Sequence, residues 1–185
     1  MAPPEIPAGA APEGDGIAVG SGPVRVDAYI DLLCPYCRAF EQRAGATLDA
    51  LVAEGRATIV YHPVAFLDRF SEGTEYSTRA AAALGAAAQA GAFPAYKDAL
   101  FAQQPEENTP GLSDEQLTRI GAESGIADPS FADDLLGGRF RPWVELVTEA
   151  AVERGVNGIP TVFVAGRQVD ADADPIAAAV AAAGG

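Results

Sequence analysis

Ile30-Asp31-Leu32-Leu33-Cys34-Pro35-Tyr36-Cys37 is the stretch on which the fold turns. The chain has two cysteines, and both lie here. The β-branched and aromatic run Val24-Arg25-Val26-Asp27-Ala28-Tyr29-Ile30 leads in, and a helical pattern leads out. A helix N-terminus presents unpaired backbone N–H groups and the positive end of its dipole, and both favour a thiolate over a thiol. Cys34 is therefore a candidate nucleophile, and Cys37 the thiol that closes a ring on it. Pro35 falls in the first helical turn, where its missing N–H does no harm.

Beyond the cysteines, the spacing predicts a helix over residues 35–54, with Phe40, Ala44, Thr47, Leu48 and Leu51 on one side and Gly55 as its stop. Residues 57–62 read as a strand halted by Pro63. Strand, helix and strand in that order predict a right-handed parallel crossover. In the first of these strands Val24, Val26, Ala28 and Ile30 line one face, while Arg25, Asp27, Tyr29 and Asp31 make the other face mixed. Upstream, residues 16–20 form a short strand, followed by a Ser21-Gly22-Pro23 turn.

Residues 73–155 read as almost all helix: 74–90, 93–103, a capping-box start at Ser113 with Gln116, a short helix opened by Asp128-Pro129 and closed by Gly137-Gly138, and 141–154. Strand signal returns at 161–164 and 167–169 around Ala165-Gly166, a hairpin pattern, and Asp174-Pro175 starts a last helix. The fold class is α/β, one unit with a helical subdomain inserted in its middle. Its parts are a flexible arm at 1–15, a first half at 16–65, the helical insertion at 66–155 and a second half at 156–185.

Composition sets the outer limits. Nearly half the residues are apolar, which predicts a globular domain with a sizeable core. A net charge of −14 argues against nucleic acid and anionic membrane surfaces as partners. Two cysteines cannot make a disulfide framework. No run approaches the roughly 18 apolar residues of a membrane helix. The opening lacks a basic region followed by an apolar stretch, so no signal peptide is read in this chain, and any export signal or membrane anchor would lie outside it. Abundant alanine and scarce lysine suggest a GC-rich bacterial source.

A second segment, Gly158-Ile159-Pro160-Thr161, places a proline directly before a strand. By itself it suits an ordinary trans proline at a strand start. Taken with the Cys34-Pro35-Tyr36-Cys37 pair and the helical insertion, it resembles the DsbA-like branch of the thioredoxin superfamily, from about residue 16 onward. The resemblance implies a thioredoxin fold and a protein-disulfide oxidoreductase whose redox group is the Cys34–Cys37 disulfide, with no bound cofactor. It implies a cis Pro160 beside the cysteines. It also implies that Pro35, Tyr36, Ile159, Pro160 and Thr161 contact substrate, with Ile159 offering its backbone to an extended segment. The substrates would be cysteine-containing polypeptides, the setting the cell envelope or another extracytoplasmic space, and the re-oxidising partner a membrane quinone-linked protein.

Two departures stand out. Oxidising DsbA proteins often carry His where this chain has Tyr36, and Cys-Pro-Tyr-Cys is also the glutaredoxin motif. Glutaredoxin potentials lie at roughly −200 to −230 mV, against about −120 mV for DsbA. A buried acid six residues before the first cysteine is common among thioredoxin-like proteins, but that position is Ala28. Asp31 or Asp27 would be the proton-transfer alternative to plain strand-end carboxylates. His62, the sole histidine, reads either as a polar strand end or as a proton relay. Zinc on Cys34, Cys37 and His62 would lack a fourth ligand. Phe131, Phe140 and Trp143 read as core. Phe66, Leu67 and Phe70 read either as the edge of a peptide groove or as the seal between insertion and sheet.

The functional reading is a DsbA-like dithiol oxidase acting on exported polypeptides. The rivals are a glutaredoxin-like or thioredoxin-like reductase or isomerase, and a redox-inert peptide-binding module. A glutathione-transferase kappa type isomerase shares the insertion but usually lacks the cysteine pair.

Overall fold

The computed structural model describes residues 3–184. Five strands form one sheet in the order β1-β3-β2-β4-β5. β2 (Val24–Ile30) and β3 (Ala57–Pro63) are parallel, joined by α1 (Pro35–Ala53), as the crossover pattern requires. β1 (Ile17–Val19) pairs antiparallel with β3 on one edge. β4 (Thr161–Val164) runs antiparallel to β2, and β5 (Arg167–Val169) completes a hairpin on the other edge. Ala165 and Gly166 both have positive φ, 47° and 80°, the geometry a two-residue hairpin needs to match strand twist.

Between β3 and β4 lie a short 3-10 turn at Asp68–Phe70 and the helices α2 (Tyr76–Gln89), α3 (Phe93–Ala102), α4 (Asp114–Glu123), α5 (Ser130–Leu136) and α6 (Arg141–Glu153). The capping box is present in full: Ser113 accepts from the Gln116 amide, and Gln116 accepts from the Ser113 amide. α7 (Ala173–Gly184) closes the chain and packs with α1 on one face of the sheet. α6 covers the other face, where the Thr148 hydroxyl receives the Ala65 N–H at 3.1 Å.

Strand β2 is sandwiched on both faces, so the mixed face is buried as well: Asp27 and Tyr29 are 2% and 1% exposed. Phe131, Phe140 and Trp143 lie in the core.

The segment expected to be a flexible arm makes contacts with the rest of the protein from Glu5 onward. Met1 and Ala2 fall outside the described residues. Glu5 pairs with Arg139, the Ala8 N–H donates to Gln89 at 3.0 Å, and Ala10 bridges to Ile17. Trp143 Nε1–H donates to the Gly14 carbonyl at 2.7 Å. The reason is polar satisfaction: a buried indole and a buried imidazole both need partners, and the segment's carbonyls supply them. A Pro/Gly/Ala composition signals turns, and turns packed on a core look the same in sequence as a loose tail.

Candidate active site

The end of β2 turns sharply into α1. Asp31 makes this turn: its carbonyl accepts from the Cys34 N–H at 3.0 Å, and its Oδ1 accepts from the Leu33 N–H at 2.9 Å. Cys34 then sits at the N-cap of α1 in extended conformation, with Pro35 in the first turn. Both cysteines are free and both are buried. Pro35 and Tyr36 between them are exposed, Tyr36 at 75%.

The Cys34 sulfur lies 3.8 Å from the carbonyl oxygen of Ile159, and the Ile159–Pro160 peptide bond is cis. The structure thus brings together Cys34, Cys37 and the Ile159-Pro160-Thr161 segment across 125 residues of chain. Register explains the approach, since Thr161 stands opposite Tyr29 at the end of β2.

The two thiols are unequal. A hydrogen bond from the Cys37 thiol, and then the N–H groups of Cys37 and Tyr36, hold Cys34 below the usual thiol range, against burial and the nearby Asp31 charge. Burial pushes Cys37 well above that range, and the neighbouring Cys34 sulfur adds to the effect. Cys34 is the more acidic of the two thiols and Cys37 the less acidic, which is the asymmetry an attacking and a resolving sulfur need.

Asp31 is fully buried among neutral donors. Besides Leu33, its carboxylate accepts from Ser77 Oγ at 2.7 Å and from the Leu67 N–H at 3.0 Å. Burial raises its pKa to about 6, with these hydrogen bonds opposing. Its own N–H lies 3.5 Å from the Cys37 sulfur. Gln104 Nε2 donates to the carbonyls of Leu32 and Cys34 at 2.9 and 3.0 Å. Neither Ser77 nor Gln104 carries a signal in the sequence, since both reach the turn only because the insertion folds back onto it.

His62 is elsewhere. It is fully buried, with Nδ1 2.6 Å from the Asp15 carbonyl and Nε2 2.7 Å from Asp27 Oδ1. Its ring stacks on Tyr29 at 4.2 Å between centroids. Both nitrogens are engaged away from the cysteines, so the three-residue zinc set is not assembled. Phe66, Leu67 and Phe70 are half-buried against the core, and the Leu67 N–H anchors Asp31, which ties this stretch to the catalytic turn.

A family model described as Thioredoxin matches residues 14–180. The chain belongs to that family. Among solved structures, DsbA from Mycobacterium tuberculosis in its reduced form superposes with a TM-score of 0.74 at 28% identity, covering 91% of this chain and 99% of that one. BdbD from Bacillus subtilis gives 0.79 at 19% identity, over 97% of each chain, and so speaks for the fold alone. The serine/threonine-protein kinase PknE of Mycobacterium tuberculosis is 33% identical over 124 residues. The match takes in 63% of this chain and spans 22% of that protein's length, and the activity in its name is that protein's own. With this fold and this cysteine pair the chain is a DsbA-like thiol–disulfide oxidoreductase. Among the described residues, no helix is long and apolar enough to cross a membrane.

Proposed function

We propose that this oxidoreductase works as a dithiol oxidase that introduces disulfides into exported polypeptides outside the cytoplasm. The observation that carries the reading is the unequal pair: Cys34 at the N-cap of α1, its pKa lowered by the Cys37 thiol and the N–H groups of Cys37 and Tyr36, beside a buried Cys37 whose pKa is raised by burial. Stabilising the thiolate stabilises the reduced enzyme, and a stable reduced form makes the disulfide a better oxidant.

In this reading a substrate thiolate attacks Sγ of Cys34 in the Cys34–Cys37 disulfide. The Cys34–Cys37 bond breaks, Cys37 leaves as a thiolate and takes up a proton, and a mixed disulfide joins Cys34 to the substrate. A second substrate thiolate attacks the substrate sulfur, and Cys34 leaves as the stabilised thiolate. The substrate has lost two electrons and the enzyme has gained them. A membrane quinone-linked partner would remove them again. Ile159 offers its carbonyl, Pro160 and Thr161 line the approach, and exposed Pro35 and Tyr36 meet the substrate from the other side.

A reductase of the glutaredoxin or thioredoxin kind is the second reading, favoured by two specific features. Tyr36 brings no positive charge to Cys34, and the Asp31 charge works against the thiolate. The test is to mix the oxidised protein with a reduced, unfolded protein that needs disulfides. The oxidase reading predicts substrate thiols lost as enzyme thiols appear, no turnover in Cys34→Ala, and a trapped mixed disulfide in Cys37→Ala. Thiol loss no faster than in buffer alone would refute it. A Cys34→Ala variant that keeps full activity would point instead to a peptide-binding module.

A further inference from the structure

Gln104 touches the reacting loop without being part of the cysteine pair or the proline segment. It follows the C-terminal turn of α3 and precedes Pro105, which turns the backbone out of the helix. Its side chain is half-buried and donates to two carbonyls on successive sides of the same turn, Leu32 at 2.9 Å and Cys34 at 3.0 Å. Both partners are acceptors only, so the amide nitrogen must face them. The Cys34 carbonyl also receives the N–H of Cys37 and of Arg38, both at 3.1 Å, which makes it the first acceptor of α1. Leu32 is fully buried, and its carbonyl depends on Gln104.

We infer that Gln104 is a positioning residue through which the helical insertion sets the reactivity of Cys34. The chemistry is electrostatic and geometric together. Two carbonyl dipoles of the catalytic turn, one of them Cys34's own, carry partial negative charge in the loop whose sulfur must hold a full one. The Gln104 amide places two partial positive charges on them and fixes the turn that aims Cys34 at Ile159. Without those donors the carbonyls stay uncompensated and the thiolate is less stable. The inference rests on Cys34 being the reacting sulfur and holds for either direction of electron flow.

The test uses three variants. Gln104→Met keeps length and removes both donors. Gln104→Glu sets a carboxylate against the two carbonyls. Gln104→Lys keeps a donor and adds positive charge. The readouts are the Cys34 thiolate titration, followed by ultraviolet absorbance, and the equilibrium constant with glutathione. Gln104→Met should raise the Cys34 pKa by about half a unit and make the pair about threefold less oxidising. Gln104→Glu should act in the same direction by roughly tenfold, and Gln104→Lys in the opposite direction. A merely structural residue would lower the stability of oxidised and reduced forms alike, which leaves the equilibrium constant unchanged, and its variants would show no reversal of sign. An unchanged constant in Gln104→Met, or all three variants shifting the same way, overturns the inference. A wild-type pair that does not exchange with glutathione at all would count against the oxidoreductase reading itself. Oxidase assays that fail while the variants still order as stated would leave Gln104 in place and remove only the direction of flow.

Discussion

Asp27 and Asp31 are the same residue type on the same buried face of one β-strand and its extension, yet they do opposite things. Asp27 has two guanidinium partners, Arg25 Nη2 at 2.9 Å and Arg154 Nη1 at 3.5 Å, and a ring nitrogen of His62 at 2.7 Å. Burial opposes its ionisation, but hydrogen bonds from His62 and Arg25 outweigh that and hold the carboxyl below its usual range. Asp31 meets only neutral donors, from Leu33, Ser77 and Leu67, and burial wins. A buried carboxylate with counter-ions is part of the scaffold, whereas one without them is a charge held in reserve beside two sulfurs. The geometry at the cysteine end of the sheet therefore carries an electrostatic load that the far end has discharged.

The largest expected effect comes from breaking the paired end. Asp27→Asn leaves the buried His62 and two arginines without their common partner. It should cost about 3 kcal/mol, the lower end for a broken buried pair, because Arg25 and Arg154 keep roughly a third of their side-chain surface in water. Denaturant unfolding measures this, and the glutathione equilibrium constant of the cysteine pair should hardly move.

Asp31→Asn should reverse that pattern. Removing the charge favours the Cys34 thiolate, so the pair should become more oxidising by about tenfold, the equivalent of one pKa unit. Equilibration with glutathione reads the change, and a less oxidising variant would contradict the assignment. The pH dependence of stability sharpens the contrast. The folded pKa of Asp31 is raised from an ordinary 3.8 to about 6, so its contribution to stability falls as pH climbs through that interval and the cost is complete above it. Asp27 has a lowered pKa, so its contribution is present above the ordinary value and is lost as pH falls below it. Denaturant midpoints followed against pH should show the upper slope flattened in Asp31→Asn and the acid slope flattened in Asp27→Asn.

Ser77→Ala should give the smallest effect. One of the three donors to the Asp31 carboxylate is lost, at a cost of about 1 kcal/mol in the ionised state. The upper slope should move to higher pH. A shift to lower pH would mean that Ser77 does not hold the ionised form.

The sequence made the local parts legible and the long-range polar partners invisible. The strand, cysteine turn, helix and strand follow from period and turn chemistry, as do the Ser113 capping box and the Ala165-Gly166 hairpin. The family resemblance pointed to a cis Pro160, and that peptide bond is cis. Burial of Asp27 could not be read from an alternating strand, because it depends on what covers the second face. Asp31 kept two readings open for the same reason: its partners, Ser77 and Leu67, lie 46 and 36 residues away and arrive with the insertion. Gln104 stands 70 residues from Cys34 in a polar loop. The opening segment has the composition of a tail, but its carbonyls are claimed by Trp143 and His62.

The proposed oxidase depends on a Cys34 thiolate stabilised enough to outweigh the Asp31 charge and the neutral Tyr36. Its most direct test is the reduction potential of the Cys34–Cys37 pair, by equilibration against a glutathione or dithiothreitol series. A dithiol oxidase should give a value between about −120 and −180 mV, at or just below the DsbA end of the range. A value near about −270 mV, where thioredoxin lies, would contradict it and assign the protein to reduction.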